Sequence, residues 1–163
     1  MKIEISRPGT TEKFSTNFNE IDLESLKKKL APNVPVSTLD DLIDNLNISA
    51  EAKAILVKIK NTTIKIGNSL LKTGNSIIES FVYFIKKFPK ATVGSIVGLA
   101  IGCLVSMIPI LGLVLGPLLT PLLTALGLAV GYWHDLKDSG LKDSIESHIN
   151  EVFGDLKNVP VKS

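Results

Sequence analysis

Residues 91–134 read ATVGSIVGLAIGCLVSMIPILGLVLGPLLTPLLTALGLAVGYWH. None of these residues is Asp, Glu, Lys or Arg, although 21% of the chain is charged. A helix needs roughly 20 apolar residues to cross the hydrocarbon core of a bilayer. The stretch is therefore long enough for two crossings and a tight turn, and the sequence predicts a hydrophobic transmembrane hairpin.

Small residues recur along both arms of this hairpin. Gly94, Gly98 and Gly102 are spaced four residues apart, which places them on one face of a helix. In lipid, such faces let helix backbones approach closely, within one molecule or between molecules. The residues predicted to pack helices or drive oligomerisation are Gly94, Gly98, Gly102, Ser106, Gly112, Gly116, Gly127 and Gly131.

Three prolines limit where the arms can be continuous. Pro109, followed by Gly112, predicts the turn between the arms, and Gly116-Pro117 is the alternative. Pro117 and Pro121 lie inside the second arm, where each removes a backbone donor and predicts a kink.

The flanking sequence predicts three further segments, all of them helical. Residues 1–48 are expected to form a small soluble helical head, and residues 135–163 an amphipathic C-terminal helix. Residues 49–90 are expected to form one long, basic amphipathic helix with Ser49 as its N-cap. Its seven-residue repeat, GNSLLKT at 67–73 and GNSIIES at 74–80, is typical of a helix that keeps one seam towards a partner. The expected fold class is all-α.

Basic and aromatic residues flank the uncharged stretch on both sides. Aromatic rings and lysines at the ends of a membrane segment are typical of the lipid interface, and lysines favour the cytoplasmic side. Both termini are therefore expected in the cytoplasm and the hairpin in the inner membrane, with no signal peptide at the start of the chain. The residues predicted to lie at the interface are Phe84, Lys86, Lys87, Phe88, Lys90, Tyr132 and Trp133.

Single elements of the sequence resemble known membrane-active proteins. Amphipathic helices around an uncharged hairpin are similar to the pore-forming domains of colicins. The spacing of Gly94, Gly98 and Gly102 resembles small glycine-zipper effectors of bacterial secretion and phage defence, and Pro109, Pro117 and Pro121 resemble the proline knot of oleosins. These resemblances imply insertion into a membrane.

Catalytic chemistry has little support in the sequence. Cys103 is the only cysteine, so neither an intramolecular disulfide nor a cysteine metal cluster is expected. His148 shares a helix face with Ser144 and Glu151, an arrangement that does not easily produce the geometry of a catalytic triad. We expect no enzyme activity, cofactor or metal, and no nucleic-acid partner because the lysines flank apolar sequence.

The sequence therefore favours a self-associating, pore-forming protein that permeabilises a bacterial membrane as a toxin, defence effector or holin-like factor. One alternative is a non-toxic two-span anchor or scaffold that recruits a partner. Another is a soluble or chaperone-held oligomer that buries the hairpin until triggered. Expected partners are a lipid bilayer, particularly anionic lipid, further copies of the chain, and a chaperone, immunity or regulatory protein.

Overall fold

A four-stranded antiparallel sheet is the first departure from the expected all-α fold. The computed structural model describes residues 1–8, 11–19, 21–31, 33–128 and 139–160. Its strands are β1 (Lys2–Ser6), β2 (Lys13–Asn17), β3 (Thr63–Ile66) and β4 (Ser69–Leu71), arranged in the order β2-β1-β3-β4. The all-α prediction is therefore wrong, and the fold is mixed α/β. Because β1 pairs with β3, the first 48 residues share a sheet with the segment that follows them.

Alternating side chains explain the two central strands. In β1, Ile3 and Ile5 are buried, and in β3, Ile64 and Ile66 are buried. The strand register pairs Ile3 with Ile66 and Ile5 with Ile64. Successive side chains of a strand point to opposite faces, so this alternation gives the sheet one apolar face, which joins the main core.

The predicted long helix over residues 49–90 is interrupted by the β3–β4 hairpin. Its helical parts are α3 (Ala50–Lys60), for which Ser49 is the N-cap as expected, and α4 (Thr73–Lys87). Gly67 has φ +59° and is the first of the two residues that connect β3 to β4. A glycine with positive φ at this place is typical of a type II′ hairpin turn. The two copies of the seven-residue repeat therefore differ in structure, since the first begins in a turn and the second lies in α4.

The other helices among the described residues are α1 (Leu23–Leu30), α2 (Val36–Asp44), α5 (Val93–Met107), α6 (Pro109–Ala125) and α7 (Ser139–Phe153), which a 3₁₀ turn follows at Gly154–Leu156. Side-chain N-caps begin three of the helices: Asp22 for α1, Ser49 for α3 and Thr92 for α5. Each cap oxygen accepts a hydrogen bond from an N–H in the first turn, which would otherwise have no partner within the helix.

Helix α5 lies at the centre of the helical layer. It packs against α4, α6 and α7, and every residue from 96 to 104 is buried. Helix α3 packs against α4 and α6, and the Ser49 hydroxyl donates to the Ala125 carbonyl at 3.1 Å, which joins the start of α3 to the end of α6. The uncharged hairpin of α5 and α6 therefore supplies much of the core.

This placement overturns the expected transmembrane hairpin. Helix α5 has 15 residues and α6 has 17, and none of the described helices combines the length and apolar character that crossing a bilayer requires. The pore-forming function and the inner-membrane location depended on such helices, so both predictions are wrong. The two-span anchor required them as well. The burial of the hairpin agrees better with the third expectation, a soluble or chaperone-held oligomer that buries the hairpin until triggered.

Gly74, in the first turn of α4, lies against the backbone of α3. A Cβ atom at this position would lie 2.1 Å from the carbonyl oxygen of Ile59 and 2.3 Å from that of Lys60. The Gly74 N–H also donates to the Thr62 carbonyl at 2.9 Å. Because the obstructing atoms belong to the backbone, a side chain can be accommodated only if α3 and α4 move apart.

We therefore expect Gly74→Ala to lower the free energy of unfolding by about 3 kcal/mol, the upper part of the range for overpacked cores. Gly116→Ala is the matched control. No atom lies within 4 Å of a Cβ at Gly116 inside α6, and alanine favours a helix over glycine by up to about 1 kcal/mol. Urea unfolding measures both variants. Equal stability of Gly74→Ala and the unmodified protein would contradict the observed contact.

Candidate functional site

The turn of the hairpin lies at Ile108. This single residue separates α5 from α6, and Pro109 is the first residue of α6. Proline suits the first helical position because its fixed φ fits a helix and the missing N–H would have no partner there. Pro117 and Pro121 lie within α6 and are exposed.

Three of the glycines predicted to pack helices face the other arm of the same hairpin. A Cβ at Gly98 would lie 2.7 Å from Leu128 Cδ1, and one at Gly112 would lie 2.9 Å from the Val105 carbonyl oxygen. At Gly94, the nearest atom is the Leu126 carbonyl oxygen at 3.5 Å. Only at Gly112 is the obstructing atom part of the backbone, so Gly112 permits close packing of α6 on α5 within one chain. Gly98 meets the end of a flexible side chain, and the contact at Gly94 is at ordinary van der Waals distance.

The other predicted packing residues have different surroundings. Gly102 is buried in α5, and its carbonyl accepts a hydrogen bond from the exposed Ser106. Gly116 faces open space, and Gly127, with φ +76°, follows the end of α6. Gly131 lies outside the described residues.

The residues predicted to lie at a membrane interface are divided by the fold. Phe84 is fully buried, and Phe88 is partly buried. Lys86, Lys87 and Lys90 are exposed around the connection from α4 to α5. Tyr132 and Trp133 lie outside the described residues.

A polar seam joins α4 and α7, two helices that pack on α5. We call it the cover seam and define it as Ser80, Tyr83 and Phe84 of α4 with His148 of α7. The His148 ring stacks on Tyr83 at a centroid distance of 4.8 Å and meets Phe84 edge to face at 5.0 Å. His148 Nε2 lies 3.3 Å from Ser80 Oγ. The aromatic contacts and the hydrogen bond together fix one helix against the other.

The hydrogen bonds of the cover seam determine its chemistry. The Ser80 hydroxyl donates to the Ser76 carbonyl at 2.8 Å, so its proton is already engaged. The 3.3 Å contact with His148 is then satisfied when Nε2–H donates and Ser80 Oγ accepts. A catalytic serine requires the opposite arrangement, in which the imidazole accepts the hydroxyl proton. In the arrangement assigned to this pair, the hydrogen bond joins α4 to α7.

A cavity of about 260 Å³ adjoins the cover seam. The Glu79 carboxylate on its wall accepts hydrogen bonds from the backbone N–H and the side-chain amide of Asn33, at 2.9 and 2.8 Å. Lys29 pairs with Asp155 at 3.4 Å. The charged groups of this cavity therefore tie α4 and α7 to the chain around α1.

Burial lowers the pKa of His148 below its ordinary value. Glu151 on α7 and Glu79 on α4 oppose this shift, whereas Lys87 on α4 adds to it. The ring is half-buried, so charging it would create a cation with reduced solvation and with Lys87 nearby. The neutral form is the one that the cover seam favours.

The described residues hold no group of three or more His, Cys, Asp or Glu side chains able to bind a metal ion. Cys103 lies buried in α5, where burial raises the pKa of its thiol to about 11. The expectations of no enzyme activity and no cofactor stay predictions. No protein-family model, curated protein or solved structure matches this chain.

The lowered pKa of His148 predicts how the free energy of unfolding changes with pH. Its pKa is lower in the folded than in the unfolded chain, so the unfolded chain binds more protons at mildly acidic pH. The free energy of unfolding should therefore be fully retained above the unfolded pKa of about 6.5, and should fall as the pH falls from there through the lowered folded pKa. Urea unfolding between pH 8 and pH 4.5 measures this loss.

Two variants separate His148 from other titrating groups. His148→Gln keeps a donor for Ser80 but cannot be charged. Part of the decrease in the free energy of unfolding below pH 6.5 should therefore disappear. His134→Gln removes the other histidine of the chain and should leave that part unchanged. An identical pH profile for His148→Gln and the unmodified protein would refute the assignment.

Proposed function

We propose that the protein stores its uncharged hairpin inside the fold and exposes it when the covering helices separate. The observation that carries this proposal is the burial of α5, which has no charged residue and is buried at every position from 96 to 104. In water such a helix needs neighbours on all sides. Here α4, α6 and α7 supply them.

The contact between α5 and its cover is suited to reversible separation. Over residues 96–104 the helix offers only apolar side chains and glycines, and apolar contact is non-directional. The directional contacts between α4 and α7 are the cover seam and a 3.0 Å hydrogen bond from Lys87 Nζ to Ser144. Other polar contacts, such as those of Glu79 with Asn33, tie the cover to the chain around α1. In the proposed opening, the contacts between α4 and α7 break and those to the chain around α1 remain.

Magnitudes indicate that exposure requires a receiving surface. Burying a Leu or Ile side chain fully is worth about 1.5–3 kcal/mol, so uncovering three such side chains of α5 costs roughly 5–9 kcal/mol. That range is similar to the whole free energy of unfolding of a typical domain, about 5–15 kcal/mol. The open form is thus rare in water and is populated when an apolar partner binds the hairpin.

Cys103 reports the opening directly, because the chain has no other thiol and this one is buried in α5. We expect a thiol reagent to label Cys103 through partial opening, with a weaker dependence on urea than global unfolding has. The rate is divided by that of the urea-unfolded chain at the same pH, which corrects for the reactivity of the thiol itself.

Two variants distinguish partial opening from global unfolding. Ser80→Ala removes the acceptor of His148 and should accelerate labelling about fivefold, the effect of one lost hydrogen bond of about 1 kcal/mol. Ile5→Val destabilises the buried strand β1 by a comparable amount, but should leave the labelling rate unchanged because the sheet stays folded. If Ile5→Val accelerates labelling by the full factor of its destabilisation, α5 is an ordinary core helix and the proposal fails.

A further inference from the structure

An exposed basic corner lies where α4 turns into α5. It consists of Lys86, Lys87, Phe88, Pro89 and Lys90, and we call it the basic corner. Lys86, Lys87 and Lys90 are exposed, and no ion pair between described residues includes any of them. The sequence has no Asp or Glu between Glu79 and Asp135, so no acid lies close to these lysines along the chain.

Apolar surface accompanies this charge. A groove of about 360 Å³ is lined by Lys87, Phe88, Pro89, Lys90, Ala91 and Leu141. Lys87 Nζ lies 5.6 Å from the centre of the Tyr83 ring and 5.8 Å from that of Phe88. Tyr83 is 45% exposed. Lysines around an aromatic and aliphatic surface are the combination found where proteins meet the headgroup region of a membrane.

We propose that the basic corner docks the folded protein onto an anionic lipid surface while the hairpin is still buried. The lysines face the lipid phosphates, and the ring of Phe88 and the groove face the boundary between headgroups and acyl chains. The proposal does not depend on the proposed storage of the hairpin, because docking requires no separation of α4 from α7.

The positive charge of these lysines, which form no ion pair with a described residue, favours an anionic partner. Each lysine near an anionic membrane surface contributes about 1 kcal/mol, which is about fivefold in binding at 1.4 kcal/mol per tenfold. The apolar groove favours lipid over a wholly polar polyanion. Binding of this kind weakens with salt, because the Debye length shortens from about 10 Å at 0.1 M to about 3 Å at 1 M.

Co-sedimentation with vesicles tests the docking. We expect the full chain to bind vesicles of phosphatidylcholine with 30% phosphatidylglycerol at 50 mM salt, and not vesicles of phosphatidylcholine alone. The double variant Lys86→Gln, Lys90→Gln should bind roughly 25-fold more weakly, as two losses of about fivefold predict. Lys87 is left in place because its ammonium also contacts Ser144.

The matched control is Lys28→Gln, Lys58→Gln. It removes two exposed lysines of α1 and α3 and changes the net charge equally, so its binding should differ from the unmodified chain by less than twofold. An equal loss of vesicle binding in both double variants would show that net charge attracts the protein to the vesicles. It would overturn the proposal that the basic corner is the docking surface. Equal binding to both vesicle types, or to neither, would also overturn it. Stronger binding to a single-stranded RNA than to anionic vesicles, lost in Lys86→Gln, Lys90→Gln, would overturn lipid as the partner.

Labelling of Cys103 on the vesicles separates this proposal from the proposed function. A thiol that stays as unreactive on anionic vesicles as in solution supports docking in the closed form. Fast labelling on the vesicles would overturn closed docking and would agree with a stored hairpin that opens there. If the protein does not bind vesicles but opens partially in solution, the docking proposal is refuted and the proposed function is not.

Discussion

The burial of α5 is the constraint on which the rest of the structure depends. A helix without a charged residue has no face of its own for water, and α6 adds only Thr120 and Thr124 as polar side chains. The chain must therefore cover the buried middle of α5 from outside. Helices α4 and α7 cover α5, and their charged residues are exposed or half-exposed. Helices α4 and α7 thus carry charged residues, which the hairpin lacks. This difference allows the same chain to have an apolar core and a polar surface.

The sheet and the cover are linked through one glycine. Gly74 lets the first turn of α4 lie against the last turn of α3 at a distance that excludes any side chain. Lys60, at the end of α3, is buried nearby and pairs with Asp40 of α2. The strands β3 and β4 occupy the chain between α3 and α4, so this crossing also fixes the sheet relative to the helices. A substitution at Gly74 would therefore displace the sheet and the covering helix α4 together. A substitution in the cover seam would affect only the contact between α4 and α7.

The sequence located the hairpin but misjudged its surroundings, for physical reasons that particular residues illustrate. Composition alone marks an uncharged stretch, and Pro109 and Ser49 act through local backbone chemistry, so their roles as the first residue of α6 and as an N-cap are readable. Ile64 and Ile66 alternate with Thr63 and Lys65 before Gly67-Asn68, which is a hairpin pattern, but a seven-residue helical repeat also fits this region. The contact between Ser80 and His148 joins positions 68 residues apart, and no local pattern encodes it.

Hydrophobicity by itself does not say which environment a helix occupies. A core and a bilayer both favour apolar side chains, and both accept closely spaced glycines where backbones meet. What differs is length and neighbours: a span needs roughly 20 residues, and α5 and α6 each have fewer. In this fold the neighbours of α5 are α4, α6 and α7. Under the proposed function, separation of α4 from α7 would change the environment of the hairpin without any change in the hairpin itself. Control over the hairpin would then lie in the helices that cover it.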